Sequence, residues 1–253
     1  MKYPAYYFSV FAFFLLATQA WGQAGPPLIT DDPGTPGSNK WEINFAVTSE
    51  TNDSEKRIEA PLADINYGVG EHIQLKYEVP FVITKNEEND TKKSGFDRSI
   101  AGVKWRFLDK EDSGIAISTY PQYTFKSPVS ESIRNSDTET AHEFLLPIEL
   151  EQSSGKWDFN QEVGYRFIES LTSQYMYGVA LTYNFSETVA ALGELHGDAI
   201  NDWSDSDLLF NVGVVYNVSH PLTLLASVGR SLRDFGNDDS HRTLGYIAVQ
   251  LHL

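Results

Sequence analysis

From Trp41 onward, apolar and polar positions alternate with a period of two, segment after segment. Trp41, Ile43, Phe45 and Val47 take one parity while Glu42, Asn44 and Thr48 take the other, which is the spacing of a strand with one apolar face. Ala63, Ile65 and Tyr67 repeat this against Asp64 and Asn66, and Ile73, Leu75, Tyr77, Val79 and Phe81 against Gln74, Lys76 and Glu78. Ala101, Val103, Trp105 and Phe107 follow against Lys104 and Arg106, then Ile115, Ile117, Tyr123 and Phe125 against Ser118, Tyr120 and Gln122. Phe144, Leu146, Ile148 and Leu150 alternate with Glu143 and Glu149, and Trp157, Phe159, Val163, Tyr165 and Phe167 with Asp158, Asn160, Glu162 and Arg166. The row from Tyr175 to Phe185 continues the series, as does a weaker stretch, Val189, Ala191 and Leu195, against Glu194 and His196. Leu208 to Val218, Leu222 to Val228 and Ile247 to Leu253 complete it. The total is about twelve strands, an even number, as closed bacterial barrels of one chain require.

The connections alternate in length. Those at 68–71, 108–113, 153–156, 186–188 and 219–221 are short and rich in Gly, Ser and Asp, while those at 50–57, 84–98, 126–142, 169–174, 197–207 and 231–243 are longer and charged. Short turns on one side and long loops on the other are the outer-membrane arrangement, with long loops outside. Aromatics then fall into two girdles. Trp41, Tyr67, Trp105, Phe107, Trp157, Tyr183 and Tyr216 mark the short-turn end, and Phe81, Tyr123, Phe125, Phe144, Phe167, Tyr175 and Phe210 the other. A soluble β-sandwich also alternates, but it has shorter strands and no reason for aromatics at both strand ends. The expectation is an all-β chain, a transmembrane antiparallel up-and-down β-barrel.

The first 24 residues read as a secretory leader. Lys2 precedes an apolar stretch from Tyr6 to Ala17, and small residues at Ala17, Ala20, Gly22 and Ala24 offer cleavage sites. That stretch is shorter than the ~20 residues of a membrane helix. The implied location is the bacterial outer membrane, after export and removal of the leader. Residues 25–40 form a second unit, an arm in which Pro26, Pro27, Pro33 and Pro36 oppose both helix and sheet pairing. The barrel is assigned to residues 41–253. Because proline limits the entropy lost on ordering, the arm is expected to fold into the lumen as a plug from the periplasmic side.

Composition narrows the chemistry. The formal charge is −16 with 35 acidic side chains, which argues against a nucleic-acid partner. With no cysteine, disulfides and thiolate chemistry are excluded. None of the six histidines sits beside a serine on a lipid-facing strand surface, as nucleophilic catalysis of the phospholipase kind would need, so no catalytic residue and no cofactor is assigned. Asp198, Asp202, Asp205 and Asp207 raise the idea of calcium, as do Asp238 and Asp239. Their spacing does not match an EF-hand loop, so no metal site is assigned, and weak divalent contact at the lipopolysaccharide surface is the alternative use.

Two stretches carry a family resemblance. Pro27-Leu28-Ile29-Thr30-Asp31-Asp32-Pro33-Gly34-Thr35-Pro36-Gly37 runs into Trp41-Glu42-Ile43-Asn44; later come Asp64-Ile65-Asn66-Tyr67-Gly68, Gln74-Leu75-Lys76-Tyr77-Glu78-Val79-Pro80 and Gly102-Val103-Lys104-Trp105-Arg106-Phe107. These resemble the MetA-pathway of phenol degradation family, most sharply in the first half of the chain. The resemblance implies an outer-membrane barrel connected with uptake of aromatic or other small organic compounds. The chain departs from the usual barrel pattern at Leu253, where an aromatic is common. The apolar outward position is kept, so assembly is expected with a weaker insertion signal.

If odd positions of the early strands face lipid, the lumen receives Glu42, Asp64, Asn66, Gln74, Lys76, Glu78, Lys104, Arg106, Tyr120, Gln122, Glu149, Asp158, Asn160, Glu162, Arg166, Glu194 and His196. Two uses compete for this set. Paired charges could fill a small barrel and leave it a structural or adhesive element, or the row could line a channel for passive uptake of small organic, including aromatic, solutes. The partners implied are outer-membrane lipid, lipopolysaccharide and those solutes. A protomer interface reads like any other apolar outer face, so the pattern is neutral between a monomer and an oligomer.

Overall fold

The computed structural model describes residues 25–109, 114–126, 130, 133, 141–236 and 242–253. The leader, with its cleavage sites, lies outside the described residues, as do Asp238 and Asp239. Strands account for most of the rest: β1 (Trp41–Thr51), β2 (Glu55–Val69), β3 (Ile73–Asn86), β4 (Lys92–Phe96), β5 (Ser99–Leu108), β6 (Ile115–Thr119), β7 (Gln122–Phe125), β8 (Glu143–Ser154), β9 (Trp157–Ile168), β10 (Gln174–Asn184), β11 (Val189–Ile200), β12 (Leu208–Ser219), β13 (Leu222–Arg233) and β14 (Thr243–His252). Each pairs antiparallel with its neighbour, and β1 pairs with β14 from Glu42↔His252 to Thr51↔Thr243, which closes the sheet. Backbone bonds between Trp41 and Leu253, at 2.8 and 2.9 Å, seal the seam at its lower end.

Fourteen strand segments make twelve staves. β4 pairs with the outer half of β3 and β5 with the inner half, so the two form one stave broken at Asp97 and Arg98. β6 and β7 likewise form one stave between β5 and β8, broken at Tyr120 and Pro121, because proline cannot donate to the ladder. The strands reach further than hydropathy suggests. Residues 50–57, expected as an outer loop, are mostly strand, and the turn is confined to Asn52, Asp53 and Ser54, where Asn52 Oδ1 accepts the N–H groups of Ser54 and Glu55. Part of 84–98 folds back in the same way as the β3/β4 hairpin.

The two faces differ as the alternation requires. Phe45, Val47, Leu146, Ile148, Val163, Val212, Val214 and Ile247 are exposed on the outside, while Asn44, Ala46, Glu149, Glu162, Asn211 and Ala248 are buried inside. Two strings of touching rings bound the apolar band. Trp41–Tyr67, Trp105–Phe107 and Trp157–Tyr183 lie at the short-turn end, with centroids 4.6, 5.5 and 4.5 Å apart. Phe81–Phe96, Tyr123–Phe125, Phe144–Phe167 and Tyr165–Tyr175 lie at the other end. No helix of the described residues is long and apolar enough to cross a membrane.

Candidate functional site

The site is the lumen and the arm within it. Residues 25–40 form no strand; Pro27 to Asp32 lie inside the barrel and bond its wall, while Ser38 to Lys40 are exposed at its mouth. Ser227 Oγ donates to the Pro27 carbonyl at 2.7 Å. The N–H of Ile29 donates to Glu194 Oε1 at 2.9 Å, and the N–H of Thr30 to Oε2 at 2.8 Å. The N–H of Asp31 donates to Glu162 Oε2 at 3.0 Å, and Thr30 Oγ1 lies 3.4 Å from His196 Nδ1. Lys104 Nζ meets Asp31 Oδ1 at 3.0 Å and also donates to the Asp32 carbonyl oxygen. The arm turns on itself through the N–H groups of Gly25 and Leu28, which leaves those of Ile29, Thr30 and Asp31 for the wall, where buried carboxylates are strong acceptors.

Glycines make room for the arm. A Cβ at Gly68 would collide with the Gly37 carbonyl, and one at Gly178 would strike Thr30 Oγ1 and lie 3.0 Å from His196 Nδ1.

Of the lumen candidates, Asp64, Asn66, Gln74, Lys104, Tyr120, Glu149, Asp158, Asn160, Glu162, Glu194 and His196 are buried and the other six half-buried, and the set falls into groups. Lys76 bridges Asp64 at 3.2 Å and Glu78 at 2.8 Å, while Gln74 donates to Asn66 and to the Tyr120 hydroxyl. Lys104 sits 3.5 Å from Glu149 and 4.6 Å from the centroid of the Tyr120 ring. Glu162, Glu194 and His196 face the arm. Asp158 accepts from Asn184 at 2.7 Å, and Asn160 is buried with neither amide atom bonded to a described residue. Arg166 pairs with Asp198 at 3.5 Å and Arg106 with Asp109 at 2.9 Å. Glu42 lies 3.9 Å from His252, and Gln122 sits where β7 meets β5. The row therefore does not act as one: part of it forms paired wall charges and part binds the arm.

Sequence reasoning missed the apolar part of this lumen. Ala46, Leu62, Ala180, Ala190, Leu192, Val215, Leu225 and Ala248 cluster inside around Leu28 of the arm, with Tyr246 packed against them. Asn44, Glu151 and Asn211 are buried there too. Their inward parity was legible. Looking only for polar residues hid the apolar ones, which make sense once Leu28 is there to cover them.

The acidic outer residues serve local structure. Asp207 pairs with Arg242 at 2.9 Å and accepts the Asp198 N–H at 2.6 Å. Ser204 donates both its N–H and its hydroxyl to Asp202 Oδ1, which holds that carboxyl below its usual range. Among the described residues no group of three His, Asp or Glu is placed to hold a metal ion.

No family model matches the chain, and no curated protein matches it. Solved structures do. The COG4313 outer membrane channel from Pseudomonas putida F1 superposes with a TM-score of 0.64 at 12% identity, over 91% of this chain and 100% of that one. The fold is that of outer-membrane barrels. The translocator domain of the autotransporter NalP from Neisseria meningitidis gives 0.55 at 13% identity, over 85% of this chain and 88% of that one. The KdgM porin in complex with disordered oligogalacturonate gives 0.53 at 12% identity, over 83% of this chain and 98% of that one. Channels and a translocator share this architecture, so the lumen has to decide between uses.

Proposed function

We propose that the chain is an outer-membrane channel or facilitator for passive uptake of small organic solutes, aromatic ones among them, and that the arm of residues 25–40 restricts its lumen. The observation that carries this is how the arm is held: inside a closed barrel, by hydrogen bonds and one lysine rather than by pairing as a strand. An element held by a few such bonds can be displaced without opening the ladder. The motif that resembles the phenol-degradation family, Pro27 to Gly37, is the segment that occupies the lumen, which supports organic solutes as cargo. The two aromatic strings and the apolar band between them support residence in the outer membrane, with acidic outer loops facing lipopolysaccharide.

A second reading is favoured by the same arm. If it never leaves, the barrel is a filled structural or adhesive element. Sugar flux into liposomes carrying the refolded mature protein separates the two. Removal of residues 25–40 should raise flux several-fold above that of the intact chain. Unchanged flux through a protein that keeps barrel-type heat-dependent gel mobility would sink the plug and leave the structural reading.

A further inference from the structure

A cavity of about 220 Å³ lies between the arm and the wall formed by β1, β2, β12, β13 and β14, towards the long-loop side of the arm. This is below the ~300–1,000 Å³ of sites for drug-sized ligands, so it suits a molecule the size of a single ring. Its arm side is apolar, made of Pro27, Leu28 and Ile29. Ile29 is 44% exposed although its own N–H is bonded to Glu194 inside the barrel, so its side chain faces space that no described residue fills. On the wall, Tyr246 packs its ring against the apolar cluster, and its hydroxyl forms no hydrogen bond to any described residue.

The charges at the rim already have partners. Arg57 bonds Glu59 at 3.2 Å and also Asp97, Thr48 donates to Glu59 at 3.0 Å, and Glu50 meets Arg242 at 3.5 Å. An ionic ligand would have to break these pairs, whereas a neutral one would not. A neutral ligand could bury apolar area against Ile29 and the Tyr246 ring while one hydroxyl met the phenol oxygen of Tyr246.

We infer that this cavity is a recognition site for a neutral, ring-sized molecule with an apolar body and one hydroxyl, and that the arm builds half of it. The inference rests on the channel reading above and gives the arm a second task. Without the arm the lumen opens, and the site disappears with it.

The test uses a monofluorinated cyclohexanol as probe, read by fluorine NMR against the refolded mature protein in nanodiscs, with protein-free nanodiscs subtracted. Saturable binding is expected for the intact chain, with no competition from cyclohexanecarboxylate. Ile29→Asn, on a segment outside the strand ladder, should weaken binding by about tenfold or more. Tyr246→Phe should weaken it by roughly threefold to tenfold, and removal of 25–40 should abolish it. Binding that survives loss of the arm, or no saturable binding to the intact chain, overturns the inference. Sugar flux through the same armless protein judges the channel separately. Flux with no probe binding by the intact chain removes the site and keeps the channel. Binding without flux removes the channel, and with it any role of this site in uptake.

Discussion

Glu194 takes the N–H groups of Ile29 and Thr30 and the Asn211 amide on one carboxylate, at 2.8 to 3.1 Å. Hydrogen bonds to a charged acceptor contribute ~1.5–3 kcal/mol each, and ~1.4 kcal/mol is tenfold in an equilibrium constant. Glu194→Ala should therefore speed hydrogen exchange at the Ile29 and Thr30 amides by about tenfold or more, read on the arm peptide of the lipid-embedded protein. An unchanged rate would mean the arm is held elsewhere. A bulkier residue on the wall tests the same docking from the other side. Gly178→Val puts carbon where Thr30 sits, so it should raise sugar flux towards that of the armless chain without altering heat-dependent gel mobility. Glu194 could be read as a lumen acid from its parity in the sequence. That its partners are backbone groups 165 and 164 residues away could not, because no local pattern encodes a contact across the lumen.

Among the strands, alternation sufficed to find the staves but not their ends or breaks. The pairing of β2 with β3 shifts between Glu59 and Leu62, around Pro61. Arg57 and Glu59 pair with one another on one side of the shift, and Leu62, Asp64 and Asn66 are buried inward on the other. A bulge adds one residue and so changes which parity faces in, an effect that hydropathy alone does not locate. The lipid-facing parity of β14 is unbroken, and Ile247 is its most exposed member at 69%. Ile247→Lys should destabilise the barrel by about 2–4 kcal/mol if that position lies at the bilayer midplane. Urea unfolding in lipid vesicles measures this, with inward-facing Ala248→Ser as the comparison. A loss for Ile247→Lys no greater than for Ala248→Ser would overturn the assignment of faces.

At the scale of the molecule, acids outnumber bases in the lumen. Lys76, Lys104 and Arg166 each stand beside a carboxylate, while Glu162, Glu194 and Asp158 are met by neutral donors alone in their hydrogen bonds. A narrow path lined in this way favours cations. The armless channel in a planar bilayer under a KCl gradient should shift its reversal potential towards that of potassium, and a shift towards chloride would contradict the polarity of this lumen. The sequence alone determined the closed sheet, the outward apolar band, the two aromatic strings and the inward parity of the polar rows. All of these follow from a period-two pattern repeated between turns, because each side chain's face is set by its own position in its strand. Only the tertiary structure decided the broken staves, the bulge at Pro61, the apolar part of the lumen, and which carboxylates hold the arm rather than one another. Those depend on distances between residues far apart in the chain, which are fixed only when β1 meets β14 and the arm is enclosed.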